Sequence, residues 1–301
     1  VTRSARALLS AASEHAAAAG YVAGWRMVRL LPERRARALF DRLALRLHDR
    51  GGAGVQQLRA NLRRVRPELD DTALDELTRE GLRSYFRYWC ESFRLPSWPI
   101  DDLVARTSTV HEERLREPFA EGRGVVVALP HQANWDWAGA WAGATGMPVM
   151  TVAERLRPEK LYDEFVAYRE SLGMTILPLT GGKPPLPTLA AHLRDGGFVC
   201  LLADRDLRRT GVEVSLCGHP ARIPSGAALL ARETGAALVP INLAYVGDGM
   251  RITFHPEVVV EPGQEGVAKA MQQVADAFTE GLRAHPQDWH MMQKVFTEDL
   301  A

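Results

Sequence analysis

The sequence predicts an α/β protein: a central, mainly parallel or mixed sheet flanked by helices, with an N-terminal helical module. Two patterns carry this. Residues 1–100 read as helices with no strand signal between them, and from about residue 110 short apolar runs alternate with amphipathic segments. Such alternation suits a sheet covered on both faces, because each crossover between parallel strands carries a helix. At 301 residues with 46% hydrophobic content, the chain has material for one large structural unit. Its expected division is a basic helical module over 1–100 packed on an α/β core over 101–301.

In order along the chain, helices are expected near 4–31, 33–50, 54–65, 70–79 and 80–94, punctuated by Pro32, Gly51-Gly52 and Pro67. Strands are expected near 124–129, 148–153, 174–179, 198–203, 237–244 and 250–259. Helices near 112–120, 135–144, 158–172, 184–194, 225–234 and 265–284 fall between them. The segment Gly181 to Pro187 reads as a loop, and its glycines lack the spacing of a phosphate-binding loop. Apolar runs such as Val125 to Pro130 and Phe198 to Ala203 are too short to span a bilayer, and no signal peptide is apparent. Cys90, Cys200 and Cys217 are widely spaced and odd in number, as expected of reduced, mostly buried thiols rather than a disulfide framework or zinc cluster.

The net charge of zero hides an asymmetry. Residues 1–66 hold 14 arginines and no lysine against Glu14, Glu33, Asp41 and Asp49, a net of +10, leaving −10 for the remainder. Within that module Leu39, Phe40, Leu43 and Leu47 recur at helical spacing among Arg34, Arg35, Arg37, Arg42, Arg46 and Arg50. Arginine beside an apolar stripe suits an anionic membrane surface. Nucleic acid is not expected as a partner, because no recognition motif accompanies the charge. An ordinary solvated helix is the remaining reading.

The chemistry gathers where strands end. Directly after Val125 to Pro130 comes His131-Gln-Ala-Asn-Trp-Asp136, and among nine histidines only His131 both ends a strand-like run and has an acid five residues on. In an open parallel sheet the residues following each strand become neighbours. Here they are His131, Asn134 and Asp136; then Glu154 and Arg155; then Asp204, Arg205 and Asp206. Histidine titrates closest to neutrality, so His131 suits proton transfer, and a nearby carboxylate would orient its ring. Asp204 and Asp136 compete for that role; helix capping by Asp136 and an Asp/Arg surface network around Asp204 are the plainer readings. There is no Gly-x-Ser-x-Gly elbow, no dinucleotide fingerprint and no histidine cluster at metal spacing. A base without a protein nucleophile points to direct attack by a substrate hydroxyl.

These residues carry a resemblance. The chain resembles the bacterial lipid A biosynthesis acyltransferase family and, within it, the phosphatidylinositol mannoside acyltransferases. The likeness runs from Tyr21-Val-Ala-Gly-Trp25 onward through Leu129 to Asp136, Thr151 to Leu156, Tyr168 to Gly173 and Ala203 to Leu207. It continues through Thr210 to Val214, Pro224 to Pro240 and Asp288-Trp-His290. The resemblance implies transfer of a fatty acyl chain, palmitoyl, from acyl-CoA to a mannose hydroxyl of a phosphatidylinositol mannoside. The enzyme would work peripherally at the cytoplasmic face of the plasma membrane. It further implies His131 as general base with Asp204 as its partner, Arg169 and Asp136 in the same site, and Glu154 and His290 nearby. The family pattern that the resemblance implies has glutamate where this chain has Asp204, one methylene shorter. Either the backbone approaches more closely, or Asp136 or Asp206 takes over.

Candidate catalytic residues are therefore His131, Asp204 and Asp136. Candidate substrate-binding residues are Arg169, Glu154, Asn134, Asp206 and His290. No metal ligand and no cofactor is expected beyond acyl-CoA as donor substrate. The acyl chain is expected in an apolar tunnel, where Trp135, Trp137 and Trp141 are either lining or plain core. The rival readings are an acyltransferase for another lysophospholipid or glycolipid, an acyl-CoA thioesterase, and a catalytically idle membrane scaffold.

Overall fold

The computed structural model describes residues 24–25, 27–155, 159–206 and 210–300. Most of the helix expected over 4–31 lies outside these residues; within them, 24–25 and 27–30 are helical. Three helices follow: α1 (Glu33–Arg50), α2 (Ala53–Val65) and α3 (Asp71–Arg94). Helix α1 buries Ala36, Phe40 and Ala44, four residues apart along one stripe, and stops at Gly51 in the left-handed conformation (φ 58°). Helix α3 starts at Asp70, whose side chain accepts the Ala73 N–H at 2.8 Å. Where two helices meeting at residue 80 were expected, α3 is continuous. Gly81 does not break it but lets α2 approach: a Cβ there would sit 3.3 Å from Leu58 Cδ2.

The core is a seven-stranded mixed sheet. In chain order its strands are β1 (Thr107–Val110), β2 (Val125–Leu129), β3 (Val149–Ala153), β4 (Thr175–Pro178) and β5 (Phe198–Leu202). A separate antiparallel hairpin, β6 (Val212–Leu216) and β7 (His219–Ile223), precedes β8 (Ala237–Val246) and β9 (Gly249–Phe254). The spatial order is β1-β9-β8-β2-β5-β3-β4. The pairs from β8 to β4 are parallel, β8 and β9 pair antiparallel, and β1 runs parallel to β9.

Alternation along the strands divides the core. Val125, Val127 and Leu129 face a cluster with Trp137 and Trp141 of helix α6 (Trp135–Ala144), named here after α4 (Ile100–Ala105) and α5 (Glu113–Ala120). Val126 and Ala128 face the opposite cluster. That second face is covered by α8 (Pro185–Arg194), α9 (Gly226–Thr234) and α10 (Gly263–Ala284), while α7 (Glu159–Glu170) packs Phe165 and Tyr168 with Trp25, Phe40 and Phe93.

The hairpin was not expected from the sequence, although Val212, Val214 and Leu216 alternate with polar residues ahead of a tight turn at Cys217 (φ 55°) and Gly218 (φ 88°). Strand β1 was also unexpected, being four residues with little apolar character at the sheet edge. The last predicted strand, 250–259, ends instead at Phe254, with one further bridge from Val258 to Leu238. No helix among the described residues is long and apolar enough to cross a membrane.

Candidate active site

Strands β2 and β5 are adjacent and parallel, with Leu129 opposite Leu202 and the Ala203 N–H donating to the Leu129 carbonyl at 2.9 Å. Two residues beyond each partner come His131 and Asp204. Their meeting is therefore a consequence of register: His131 Nδ1 lies 2.6 Å from Asp204 Oδ1, and the His131 backbone N–H donates to Oδ2 at 2.8 Å. The Trp289 indole adds a third donor to Oδ2 at 2.9 Å. The same carboxylate holds both ring and backbone of His131, so the aspartate reaches without a longer side chain. Asp204 is fully buried. Burial alone would raise its pKa, but the His131 charge and the hydrogen bonds from His131 and Trp289 outweigh it and hold the carboxyl below its ordinary value.

An ionised carboxylate only accepts, so Nδ1 carries a proton toward Asp204, and Nε2 is the ring nitrogen that the carboxylate leaves unengaged. The His131 side chain is 26% exposed, in the wall of an open pocket also lined by Trp135, Glu154, Arg169, Arg205 and His290. The His131 loop is held hard from behind. Ala133 has φ 47°, a strained value for a residue other than glycine, and its N–H donates to the Asp288 carbonyl at 2.8 Å. The Gln132 side chain is buried, donating to the Gly281 carbonyl at 3.2 Å and accepting from Leu243 N–H at 3.2 Å and Asn242 Nδ2 at 3.2 Å. The His290 N–H donates to the His131 carbonyl at 2.8 Å.

Asp136 does not pair with His131. Its buried carboxylate accepts from Arg169 Nε at 2.7 Å and from the Tyr88 hydroxyl at 3.0 Å. Burial works against the Arg169 charge, yet Asp136 raises its pKa above the ordinary value, and burial raises that of Tyr88. Asn134 caps α6, accepting the Trp137 N–H at 3.0 Å, and its amide reaches Glu91 at 3.4 Å. Asp206 accepts the Gly211 N–H at 2.6 Å, so it too is turned to a neighbouring loop. Glu154 is exposed on the pocket wall.

His290 is buried, and burial together with the nearby His131 pushes its pKa down to about 3. Ser84 donates to Asp288 Oδ1 at 2.7 Å and lies 2.9 Å from His290 Nε2. The serine proton being committed, Nε2 is the donor and Nδ1 is an acceptor, buried and without a hydrogen-bond partner among the described residues. Ser84, Tyr88, Gln132 and Trp289 all shape this site and were not assigned roles from the sequence. The aromatic run Tyr85 to Trp89 on α3 was the available signal for part of this group, and Asp288-Trp-His290 for another.

Beneath α6, a narrow apolar pocket runs along the sheet face past Leu129, Trp135, Trp141, Met174, Cys200 and Phe254, with Asp136 and Arg169 among its lining. Trp135 borders both pockets and stacks on Tyr88 with ring centroids 4.1 Å apart, whereas Trp137 is fully buried core. Burial raises the pKa of Cys200, pushes Cys90 up to about 12 and Cys217 up to about 11, so none is a poised thiolate. Among the described residues no group of three or more His, Cys, Asp or Glu is arranged to hold a metal ion.

The sequence over residues 9–298 matches the family described as bacterial lipid A biosynthesis acyltransferase. The chain belongs to this family. It is 45% identical over 283 residues to a phosphatidylinositol mannoside acyltransferase of Mycolicibacterium smegmatis, covering 94% of this chain and 92% of that one. It is likewise 45% identical over 284 residues to one from Mycobacterium tuberculosis strain CDC 1551, covering 93% and 89%. As a member of this family, the protein is an acyltransferase.

Proposed function

We propose that this acyltransferase moves a fatty acyl chain, palmitoyl, from acyl-CoA to a mannose hydroxyl of a phosphatidylinositol mannoside, with His131 as general base and no covalent acyl-enzyme. The observation that carries the reading is the His131–Asp204 pair, with Nε2 unengaged by the carboxylate, in the wall of an open pocket that meets a narrow apolar one at Trp135 and Arg169. The acceptor is taken from the names of the relatives.

In this reaction Nε2 removes the proton of the mannose hydroxyl while its oxygen attacks the thioester carbonyl. The negative charge passes to the carbonyl oxygen, near which Arg169, anchored by Asp136, presents a fixed positive charge. Collapse of the tetrahedral intermediate breaks the C–S bond, and the His131 proton goes to the departing sulfur. Asp204 stabilises the transient imidazolium. The acyl chain lies in the apolar pocket, and His290 forms part of the wall against which the sugar sits. Glu154, Asn134 and Asp206 complete the surroundings, Glu154 from the wall and the other two by shaping loops.

The enzyme docks on the anionic cytoplasmic face of the plasma membrane through α1. Arg34, Arg35, Arg42, Arg46 and Arg50 are exposed there and make no ion pair among the described residues. Leu39 and Leu43 are exposed between them, with Met27 and Leu30 just before.

The test is a mass-spectrometric assay with palmitoyl-CoA and purified phosphatidylinositol mannoside. Wild type is expected to give lipid heavier by one acyl group, His131→Ala to lose activity by at least about a thousandfold, and Asp204→Asn by about a hundredfold or more, with melting temperatures checked. Free fatty acid without acylated lipid would indicate a thioesterase instead. Full activity in His131→Ala would overturn the mechanism.

A further inference from the structure

Next to the catalytic pocket lies a second groove, and its lining holds three cations with one carboxylate: Arg205, Arg222, Lys294 and Asp206. The two cavities adjoin, since Gly54, Arg205, Met292 and Gln293 line both. Arg205 also lines a third, more apolar cavity beside α8 and α9, so it stands where three hollows meet. The cations come from separate parts of the fold: the turn after β5, strand β7, and the segment beyond His290.

Their lack of partners is informative. Elsewhere in the same region arginines are paired off: Arg64 binds Asp299 at 2.7 Å, and Arg59 binds Asp71 at 3.0 Å. Arg205, Arg222 and Lys294 have no hydrogen-bond or ion-pair partner among the described residues, and the Asp206 carboxylate is engaged by the Gly211 N–H at 2.6 Å. Unpaired cations lining one groove repel one another, an arrangement that an anion relieves. Charge-assisted bonds from arginine and lysine are well matched to phosphate oxygens.

We propose that the groove formed by Arg205, Arg222 and Lys294 is a subsite for a phosphate group carried by a substrate. This rests on the acyl-transfer reading, under which two substrates bring phosphate to the site: the CoA donor, with its diphosphate and 3′-phosphate, and the inositol lipid, with its phosphodiester. Arg205 adjoins the catalytic Asp204, whereas Arg222 and Lys294 are removed from the reacting atoms and serve as the probes.

The experiment measures KM for each substrate separately in Arg222→Gln, Lys294→Gln and the double variant. Loss of two charge-assisted contacts is expected to raise one KM about five- to fiftyfold with kcat within about twofold. A rise confined to acyl-CoA, and absent with a palmitoyl-pantetheine thioester, assigns the groove to the donor. A rise confined to the glycolipid assigns it to the acceptor phosphodiester. Unchanged KM for both substrates, or a fall in kcat alone, overturns the subsite. In parallel, calorimetric titration of wild type and the double variant with 3′,5′-ADP and with glycerophosphoinositol reads the groove independently of turnover. If wild type fails to acylate the glycolipid yet binds one of these probes and the variant does not, the reaction assignment fails and the phosphate site stands; binding of neither probe to wild type removes the site.

Discussion

At the scale of single residues, the site is a set of side chains whose protonation is fixed by what they touch. His290 is the clearest. In the folded state burial holds its pKa at about 3, against an ordinary value of 6.5. Between those values the unfolded chain takes up a proton that the folded one refuses, so stability rises with pH across that window and is lost as pH falls through it. Asp204 acts in the same direction at lower pH: its depressed pKa stabilises the fold above the ordinary carboxylate value, and that contribution vanishes as pH falls through the folded value. Asp288, raised by burial, acts oppositely. Comparing wild type with His290→Asn isolates the histidine: on going from pH 7.5 to 5, wild type should lose about 2 kcal/mol more stability than the variant in denaturant titrations. Equal losses would mean that His290 titrates normally. The importance of His131 was legible in the sequence because it sits behind an apolar run with an acid five residues on. The choice between Asp204 and Asp136 was not, because it depends on β5 lying beside β2 in a register no local pattern encodes.

At the scale of elements, the reacting loop is tied to secondary structure on three sides. Ser84, Tyr88 and Glu91 fall on one face of α3 and reach His290, Asp136 and Asn134 respectively. All three already fall within the helix expected over 80–94; what the sequence does not encode is which residues of the α6 and His290 segments that face meets. From the other side, α10 meets β8 at Gly281, whose absent side chain makes room for Asn242: a Cβ there would sit 2.0 Å from Asn242 Cγ. Asn242 in turn holds Gln132 at 3.2 Å and accepts from His255 at 2.7 Å. Gly281→Ala is therefore expected to cost about 2–4 kcal/mol and to reduce turnover by displacing Gln132. Gly226→Ala, with nothing nearer than 4.0 Å to the new Cβ, is expected to be neutral or slightly stabilising. Chemical denaturation and steady-state rates on both variants check this; a harmless Gly281→Ala would show that α10 and β8 yield easily.

At the scale of the whole molecule, folding redistributes the charge asymmetry seen in the sequence. Part of the +10 of residues 1–66 is answered by acids brought from elsewhere: Arg64 by Asp299, Arg59 by Asp71 and Arg37 by Asp248. What composition alone did not disclose is which arginines remain. They concentrate on α1, where Arg34, Arg35, Arg42 and Arg46 flank Leu39, 40% exposed, and Leu43, 37% exposed. Each arginine near an anionic leaflet contributes about 1 kcal/mol, so changing these four to glutamine should weaken binding to phosphatidylserine- or phosphatidylinositol-containing vesicles by at least about a hundredfold. Binding to neutral vesicles, which depends on Leu39 and Leu43, should change far less, and raised salt should mimic the substitutions in wild type. Turnover of a soluble acceptor should stay within about twofold, because none of the four arginines lines the pocket of His131. Vesicle flotation with both lipid compositions decides the matter. If anionic binding persists unchanged in the fourfold variant, the charge on α1 is an ordinary solvated face, and the acyl acceptor must reach His131 by a route that does not involve this helix.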